Sequence, residues 1–344
     1  MRKKATTLKD VAAHCGVSST AVSLVLNNRP HNLSEKTARL IVKGADELGY
    51  RPDPTARSLA TKTTNTIGVI IPDISNAFFS ETVRHLQIEL ARFGYVMFLM
   101  NSEEKFENDL KYLELLISRN VDGIVMTMSA ESMLPENQKK IKTILHESKT
   151  PFVLFDRFFE GDDSKVYVDN LESGYAIARH LIDQGHTNIG VITGPLGLNS
   201  SRDRLRGVMK AMDESGIVLS DNHIVQGYYD METGRKGAQL LLGHVSAIFA
   251  FNDLQAFGVI ETAESQDIRI PDDVSLVGFD DVFYSAILKT RLTTVRQPIY
   301  EMSDALSKLL IKMIKDPEYR EEIRVPATII LRDSVKTIRS DKDA

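Results

Sequence analysis

The sequence lacks the features that mark secreted, membrane-spanning or cysteine-ligated metal proteins. Cys15 is the only cysteine among the 344 residues, so an internal disulfide and a cysteine-cluster metal site are both excluded. No stretch approaches the roughly 18 uninterrupted apolar residues of a membrane span. The start, MRKKATTLKD, lacks the apolar run of a signal peptide. We therefore expect a cytoplasmic protein with no membrane partner.

Motifs of common enzyme classes are also missing. The stretch GVITGPLGLNSSRDRLRG contains neither the G-x-G-x-x-G pattern of dinucleotide-binding folds nor the G-x-x-x-x-G-K-[ST] pattern of phosphate-binding loops. No HExxH motif, Ser/His/Asp order or carboxylate pair with a recognisable reaction stands at the predicted strand ends. We expect no enzymatic activity, no metal and no cofactor.

Charge is divided unevenly along the chain. Residues 1–62 contain 11 Lys and Arg against 5 Asp and Glu, a charge of +6, whereas the remainder contains 31 against 42, a charge of −11. A basic segment joined to an acidic body is typical of a nucleic-acid-binding module carried by a separate domain. Charge alone fits a solvated basic face without a partner equally well, so more evidence is needed.

The basic segment predicts three short helices. Thr7 can cap the first helix, which ends at Gly16, and Ser18 can cap the second. A third helix over residues 34–48 closes the apolar core. Two helices joined by a tight turn and covered by a third describe a helix-turn-helix unit, whose second helix enters the major groove of DNA. A structural bundle without a DNA partner is the alternative.

One face of the second predicted helix is small and polar. Hydroxyl, amide and methyl groups of this kind can contact base edges, while residues around the helix contact phosphates. The residues expected to contact DNA are those on this face and the two helix caps: Thr7, Ser18, Ser19, Thr20, Ser23, Leu24 and Asn27.

After residue 65 the composition changes to apolar runs that predict buried strands. TIGVIIP, YVMFLMN, VDGIVMTM and TPFVLFD alternate with helical segments over residues 79–93 and 107–119, and NIGVITG, SAIFAFN and VSLVGFD begin a second set. This order predicts two doubly wound parallel sheets. Ligands bind such sheets at the carboxyl ends of their strands, which here means a cleft between two lobes.

Three segments, TLKDVAAHCGVSSTAVSLVLN, ELGYRPDPTARSLA and TIGVIIPDISNAFF, resemble the LacI/GalR family of bacterial transcription regulators. The resemblance continues in order to IILRDSV near the end of the chain. It implies an α + α/β protein with a three-helix DNA-binding head in residues 1–52 and a hinge helix with linker in residues 53–65. A two-lobed doubly wound α/β domain, similar to the periplasmic sugar-binding proteins, would occupy residues 66–338.

The resemblance also implies a homodimer, and a two-fold dimer would bind a pseudo-palindromic double-stranded DNA operator. No leucine heptads that would add a tetramerising coiled coil precede the end of the sequence. In the hinge stretch DPTARSLATK, Leu59 would insert between base pairs of the minor groove and kink the duplex, and Arg57 would contact phosphates or the groove. The alternative for Leu59 is packing against the regulatory body.

Polar residues at predicted strand ends, together with two aromatic residues, form the expected effector site. Carboxylates, amides and an arginine can bind the alternating donors and acceptors of a polyhydroxylated ligand, on which aromatic rings can stack. Any one of them could instead cap a helix or pair across the lobes. Several of the candidates rest on the family correspondence: Phe78, Thr127, Asp156, Asp169, Asn199, Ser200, Arg204, Tyr229, Asn252, Asp280 and Gln297.

Three departures from the family pattern refine these expectations. Purine-responsive relatives carry an arginine where this chain has Leu198, which favours a sugar or sugar derivative, and sugar-binding relatives can place asparagine where it has Thr127. Leu24 replaces a residue that is often polar, so it offers only apolar contact, for example to a thymine methyl group.

These features together predict a repressor whose operator affinity is controlled by a small carbohydrate effector. A regulator controlled by a protein co-regulator, with a vestigial pocket, is one alternative. A free sugar-binding module is another, and an enzyme is the least supported.

Overall fold

The computed structural model describes residues 6–27, 30–51 and 63–338. The chain divides into two units, Met1–Thr64 and Asn65–Ala344. Arg57 and Leu59, for which the sequence predicts DNA contacts, lie outside the described residues.

Caps define the helices of the first unit. The hydroxyl of Thr7 accepts a hydrogen bond from the N–H of Asp10, and the Asp10 carboxylate accepts one from the N–H of Thr7. Gly16 ends the first helix with a φ of 66°, in the left-handed region that glycine adopts without a steric penalty. The Ser18 hydroxyl caps the next helix by accepting the N–H of Ala21 at 3.1 Å. The described helices of this unit are α1 (Leu8–Cys15), α2 (Ser19–Leu26) and α3 (Glu35–Glu47).

Apolar side chains from α1, α2 and α3 meet in one small core. The Cys15 thiol lies in this core and donates a weak hydrogen bond to the carbonyl of Leu40, with a sulfur to oxygen distance of 3.6 Å. The arrangement of the three helices confirms the predicted helix-turn-helix architecture. The core residues are Val11, Ala12, Cys15, Ala21, Val22, Val25, Ile41 and Ala45.

The second unit contains two sheets, each of six strands among the described residues. The strands are short and mostly buried, as the apolar runs predicted. They are β1 (Thr66–Ile71), β2 (Val96–Asn101), β3 (Gly123–Met126), β4 (Phe152–Phe155), β5 (Lys165–Val168), β6 (Ile189–Thr193), β7 (Ile224–Gln226), β8 (Ala247–Ala250), β9 (Ser275–Asp280), β10 (Thr293–Arg296), β11 (Glu322–Val325) and β12 (Thr328–Ile330).

The strand order of the first lobe is β11-β5-β4-β3-β1-β2, and that of the second lobe is β12-β10-β9-β8-β6-β7. All pairings in the first lobe are parallel, and in the second lobe only β12 runs antiparallel, to β10. In the register of the first sheet, Val69 lies opposite Leu99 on one side and Val125 on the other. This arrangement confirms the predicted pair of doubly wound lobes.

Helices connect the strands and cover the sheets. Two helices predicted over residues 79–93 and 107–119 begin and end within two residues of those positions. The helices of the second unit are α4 (Ala77–Arg92), α5 (Phe106–Ser118), α6 (Pro135–Ser148), α7 (Asn170–Asp183), α8 (Asn199–Glu214), α9 (Met231–Leu241), α10 (Asp253–Ser265) and α11 (Ile299–Lys315), with three-residue or four-residue 3₁₀ turns at Glu131–Met133, Asp221–His223 and Phe283–Ala286.

The chain passes between the lobes three times within residues 63–338. After β5 it enters the second lobe, where α7 packs against α8; after β10 it returns, and α11 packs against α4 and the first sheet; after β11 it crosses again to β12. Each lobe is therefore built from separate stretches of sequence. Among the described helices, none combines the length and the apolar character needed to cross a membrane.

Candidate functional site

A narrow cleft of about 20 Å³ lies between the two lobes. The first lobe supplies residues that follow β1 and β4, and the second supplies residues at the carboxyl ends of β6 to β10. This is the edge at which doubly wound sheets bind ligands. The lining residues are Asn76, Phe78, Phe79, Asp156, Arg157, Ser200, Arg204, Tyr229, Asn252, Asp280 and Gln297.

Arg204 lies at the centre of the second lobe's side of the cleft and is 3% exposed. Its Nε donates to Oδ1 of Asn170 at 2.8 Å, and its Nη1 donates to the carbonyl of Phe251. Its guanidinium carbon lies 3.3 Å from the centroid of the Phe279 ring. The guanidinium is therefore held in one orientation before any ligand arrives, which lowers the cost of binding.

Close helix packing explains why Arg204 and Asn170 meet. A Cβ atom on Gly207 of α8 would lie 2.2 Å from the carbonyl oxygen of Leu171, and one on Gly174 of α7 would lie 2.4 Å from the carbonyl oxygen of Arg204. Only glycine permits these approaches, so α7 and α8 pack backbone to backbone. Asn170, the first residue of α7, then lies within hydrogen-bonding distance of Arg204 in the second turn of α8.

Asp280 and Gln297 form a buried polar pair beside Arg204. The Nε2 of Gln297 donates to Oδ1 of Asp280 at 2.7 Å. Burial raises the pKa of the Asp280 carboxyl well above its ordinary value, and the nearby Arg204 guanidinium opposes the rise. The Oε1 of Gln297 is buried and has no hydrogen-bond partner among the described residues.

Asp156 is the corresponding carboxyl group of the first lobe. Its φ of 60° places it in the left-handed region, and its Oδ1 is buried with no hydrogen-bond partner in the described chain. Burial raises the pKa of Asp156, while the charges of Arg157 and Arg204 lower it. The two lobes thus each present one buried carboxyl group to the cleft.

Arg157 contributes a second buried guanidinium. Its Nη1 donates to Oε2 of Glu104 at 2.8 Å and to the carbonyl of Met128 at 3.1 Å. Its guanidinium carbon lies 5.5 Å from the centroid of the Phe79 ring, and its Nε has no hydrogen-bond partner within the described part of the chain.

Aromatic rings stand on both sides of the cleft. Phe78 of the first lobe stacks on Phe155, with centroids 5.7 Å apart and planes inclined by 28°. Tyr229 of the second lobe shares a hydrogen bond with Ser201 at 2.7 Å and a longer one with Ser200 at 3.4 Å. Both rings are fixed by these contacts.

Asn252, a predicted site residue, lines the cleft, but both ends of its side-chain amide are hydrogen-bonded to the backbone of its own lobe. Its Oδ1 accepts the N–H of Gln255 at 2.9 Å and caps α10, and its Nδ2 donates to the carbonyl of Tyr229 at 3.2 Å. Asn252 therefore lines the cleft while holding the tyrosine loop in place.

Three predicted site residues do not line the cleft. Thr127 is buried behind β3, with its N–H bonded to the carbonyl of Ile70. Asp169 caps α7 by accepting the N–H of Glu172 at 3.0 Å and pairs with Arg324 at 3.3 Å. Asn199 uses both amide atoms on the backbone of the opposite lobe. For Asp169 and Asn199, local or interlobe partners take up the polar groups expected to meet a ligand.

Three lining residues were not among the predicted site residues. Asn76 caps α4 by accepting the N–H of Phe78 at 3.0 Å, and its position just after β1 is the signal that would have found it. Phe79 follows Phe78 directly, and no feature of the sequence marks its ring as facing the cleft. Arg157 was noticeable at a strand end, but its pairing with Glu104, 53 residues away, is not visible in the sequence.

The predicted DNA-contacting residues of the first unit lie on and around α2. Thr20 is exposed, and Ser19, Ser23, Leu24 and Asn27 are half-buried. The Nδ2 of Asn27 donates to the carbonyl of Ser23 at 2.8 Å, so that this amide partly closes the end of α2. The cap residues Thr7 and Ser18 leave the first N–H groups of α1 and α2 near the surface, where such groups can bind phosphate.

Comparison with known proteins gives the same two-part division. A family model for bacterial regulatory proteins of the lacI family matches residues 7–53, and a model for a periplasmic binding protein-like domain matches residues 178–335.

Full-length relatives are transcriptional repressors. The HTH-type transcriptional repressor PurR of Photobacterium profundum is 32% identical over 337 residues, which are 96% of this chain and 99% of that protein. The ribose operon repressor of Halalkalibacterium halodurans is 33% identical over 343 residues, 98% of this chain and 100% of that protein.

Solved structures share the fold. The Lac repressor dimer bound to operator and the anti-inducer ONPF has a TM-score of 0.86 at 22% identity, over 97% of this chain and 100% of that one. A LacI family transcriptional regulator from Enterococcus faecium with bound ribose has a TM-score of 0.71 at 29% identity, over 80% of this chain and 100% of that one.

Proposed function

The chain belongs to the lacI family of bacterial regulatory proteins, and we propose that the cleft between its lobes binds the effector of this repressor. The protein is a DNA-binding transcriptional repressor controlled by a small-molecule effector. Its effector is a neutral sugar or sugar derivative held between the lobes.

The observation that carries this proposal is a pair of buried acceptors in the cleft. Oδ1 of Asp156 and Oε1 of Gln297 have no hydrogen-bond partner among the described residues. An unpaired buried polar atom costs about 1 to 3 kcal/mol, so such atoms are rare unless a ligand or water satisfies them. Hydroxyl groups of a sugar can donate to both.

Charge balance supports a neutral ligand. Two buried guanidinium groups, Arg157 and Arg204, face two buried carboxyl groups, Asp156 and Asp280. An anionic ligand would leave an excess of negative charge in a desolvated site, which is costly. The rings of Phe78 and Tyr229 offer apolar faces to the C–H surface of a sugar.

The same acceptors distinguish ligand control from control by a protein co-regulator with a vestigial pocket. A cleft without a ligand gains nothing from keeping four ionisable side chains and two unpaired acceptors out of water. Apolar substitutions would stabilise such a cleft. The buried polar lining therefore favours a small-molecule effector. The ribose named for the Enterococcus faecium relative makes pentoses the first sugars to test on this chain.

DNA binding is assigned to the first unit. Ser19, Thr20, Ser23, Leu24 and Asn27 would face base edges, and the N–H groups at the starts of α1 and α2, capped by Thr7 and Ser18, would contact phosphates. Arg57 and Leu59 would add the minor-groove contacts that the resemblance implies.

A homodimer on a pseudo-palindromic operator accounts for two apolar surfaces of the second unit. The edge strand β2 exposes Val96 and Phe98, and an apolar strand edge without a partner invites pairing. In the second lobe Phe283, Tyr284 and Ile287 are also exposed. Burying both surfaces in a two-fold dimer would present two identical heads to DNA.

Thermal-shift titration of the full chain with neutral pentoses and hexoses, sugar phosphates and purines tests the ligand class. A neutral sugar should raise the melting temperature, because a ligand that binds only the folded state stabilises it, and it should change operator affinity. Stabilisation by purines or sugar phosphates alone would overturn the neutral-sugar proposal, and turnover of the bound sugar would contradict a purely regulatory role.

A further inference from the structure

Asn199 joins the two lobes through both atoms of its side-chain amide. Its Nδ2 donates to the carbonyl of Asp156 at 3.0 Å, and its Oδ1 accepts the N–H of Phe158 at 3.1 Å. Asn199 is the first residue of α8 in the second lobe, whereas Asp156 and Phe158 follow β4 in the first. The side chain therefore pairs with the opposite backbone as a neighbouring strand would.

The amide has no competing local role. The residue that precedes α8, Leu198, makes no side-chain cap, and both hydrogen bonds of Asn199 leave its own lobe. The residue is 2% exposed, so water does not substitute easily for either bond when the lobes are closed. Opening the cleft breaks both bonds together.

The bonded backbone carries a residue of the effector cleft. Asp156 has a φ of 60°, a conformation that is unfavourable for a residue with a Cβ. Its N–H is bonded to Val166 at 3.0 Å within the first lobe, and its carbonyl is bonded to Asn199 of the second. The interlobe bond thus helps to fix the direction of a carboxylate whose Oδ1 is unpaired.

A second interlobe contact nearby is much weaker and serves as a control. Arg202 of α8 pairs with Glu160 at 3.6 Å, and their side chains are 46% and 84% exposed. Ion pairs this exposed contribute little to stability, because solvent screens the charges. The buried amide bridge and the exposed ion pair join the same loop to the same helix, so they can be compared directly.

We propose that Asn199 is a latch and a positioning residue: its amide holds the lobes closed and fixes the backbone that carries the Asp156 carboxylate, which couples lobe closure to effector recognition. This rests on the proposed function of the cleft as the effector site. Asn199 acts on the effector through Asp156 and does not itself contact it.

The expected effect of losing the latch on operator affinity can be stated relative to the effect of the effector, whether the effector induces or co-represses. An effector bound between the lobes favours the closed state, and loss of the latch favours the open state. The operator affinity of effector-free Asn199→Ala should therefore move in the direction opposite to the change that the effector causes in the wild type.

Effector binding should weaken about tenfold in Asn199→Ala, because the binding-competent closed state is less populated. Most of the loss should appear as faster dissociation, measured by stopped-flow fluorescence with the sugar identified by thermal shift. Asn199→Asp keeps the acceptor for Phe158 but sets a carboxylate oxygen against the carbonyl of Asp156, so it should lose at least as much. Arg202→Ala should stay within about twofold of the wild type.

Small-angle X-ray scattering of the effector-free full chain tests the latch without a ligand. Asn199→Ala should have a larger radius of gyration than the wild type and Arg202→Ala. An unchanged radius with unchanged dissociation overturns the latch, and so does a lower melting temperature without either change, since that would indicate a purely structural role. If no neutral sugar binds the wild type, the ligand proposal fails, while the scattering measurement still decides whether Asn199 holds the lobes closed.

Discussion

Arg204 and Asn170 form a buried hydrogen bond, Nε to Oδ1 at 2.8 Å, that links the second turn of α8 to the first turn of α7. Asn170 also donates its Nδ2 to the carbonyl of Val168 at 3.1 Å, so its amide is fixed from both ends. Asn170 does not line the cleft, yet it sets the direction of the guanidinium that does. Loss of this hydrogen bond should therefore weaken effector binding.

Asn170→Ala should therefore weaken effector binding roughly 5- to 20-fold, since a hydrogen bond to a charged group is worth about 1.5 to 3 kcal/mol and part of it is recovered by rearrangement. Operator binding without effector should change little. Calorimetry with the cognate sugar measures the first effect. Wild-type effector affinity in this variant would show that Arg204 keeps its orientation without Asn170.

Asp280 gives effector binding a defined pH dependence. Burial raises the pKa of this carboxyl well above its ordinary value, so it takes up a proton at a higher pH than an exposed aspartate. A protonated Asp280 loses acceptor capacity, and effector affinity should fall as the pH is lowered through the raised pKa. Asp280→Asn should bind about 10-fold or more weakly at pH 7 and should lack this component of the pH dependence. Parallel pH profiles for the two proteins would contradict the assignment.

Asp253 provides a separate test of the electrostatics of the second lobe. Its carboxylate accepts hydrogen bonds from the hydroxyls of Ser285 and Thr294 and from the N–H of Val282, and burial raises its pKa from 3.8 to about 6. Between these values the folded state binds more protons than the unfolded state, so the contribution of Asp253 to stability falls as the pH rises from about 4 to about 6.

Asp253→Asn removes this titration. The variant should be less stable overall, because its amide offers one acceptor oxygen where the carboxylate offers two, but its deficit against the wild type should shrink by about 2 kcal/mol between pH 4 and pH 7. Urea denaturation at several pH values measures the difference. A deficit that does not vary with pH would place the folded-state pKa near the ordinary value.

The hinge prediction rests on the sequence, because Leu59 lies outside the described residues. If Leu59 is a minor-groove wedge, Leu59→Ala should bend operator DNA less and should lower operator discrimination more than non-specific binding, because unstacking a base step is compensated only when an apolar side chain fills the gap. The salt dependence should persist. A circular-permutation gel shift that gives equal bend angles for both proteins would favour packing of Leu59 against the regulatory body.

Periodicity and strand order were sufficient to predict the architecture. Thr7, Gly16 and Ser18 mark the helix boundaries of the head by local hydrogen-bonding rules that act within a few residues, and they are found in those roles. The apolar runs of the second unit predicted buried parallel strands for the same reason, since burial on both faces of a sheet leaves a continuous apolar signature.

The cleft was predictable only to the level of the strand end. A polar residue after a strand lies at the correct edge of the sheet, but whether its side chain meets a ligand depends on partners far away in sequence. The Asp169 carboxylate caps its own helix and pairs with Arg324. The Asn199 amide bonds to the backbone of Phe158 and Asp156 in the opposite lobe, which are 41 and 43 residues away in the sequence. Arg157 enters the cleft because Glu104 and Met128 hold it there.

Arg204 offers the most direct test of whether the cleft controls operator binding. Fluorescence anisotropy of a labelled operator should be measured with the wild type and Arg204→Ala, each with and without the cognate sugar at a concentration that saturates the wild type. We expect the sugar to shift the operator affinity of the wild type severalfold or more and to leave that of Arg204→Ala unchanged, while the two effector-free proteins bind the operator alike. An Arg204→Ala protein that responds to the sugar as the wild type does would contradict this expectation.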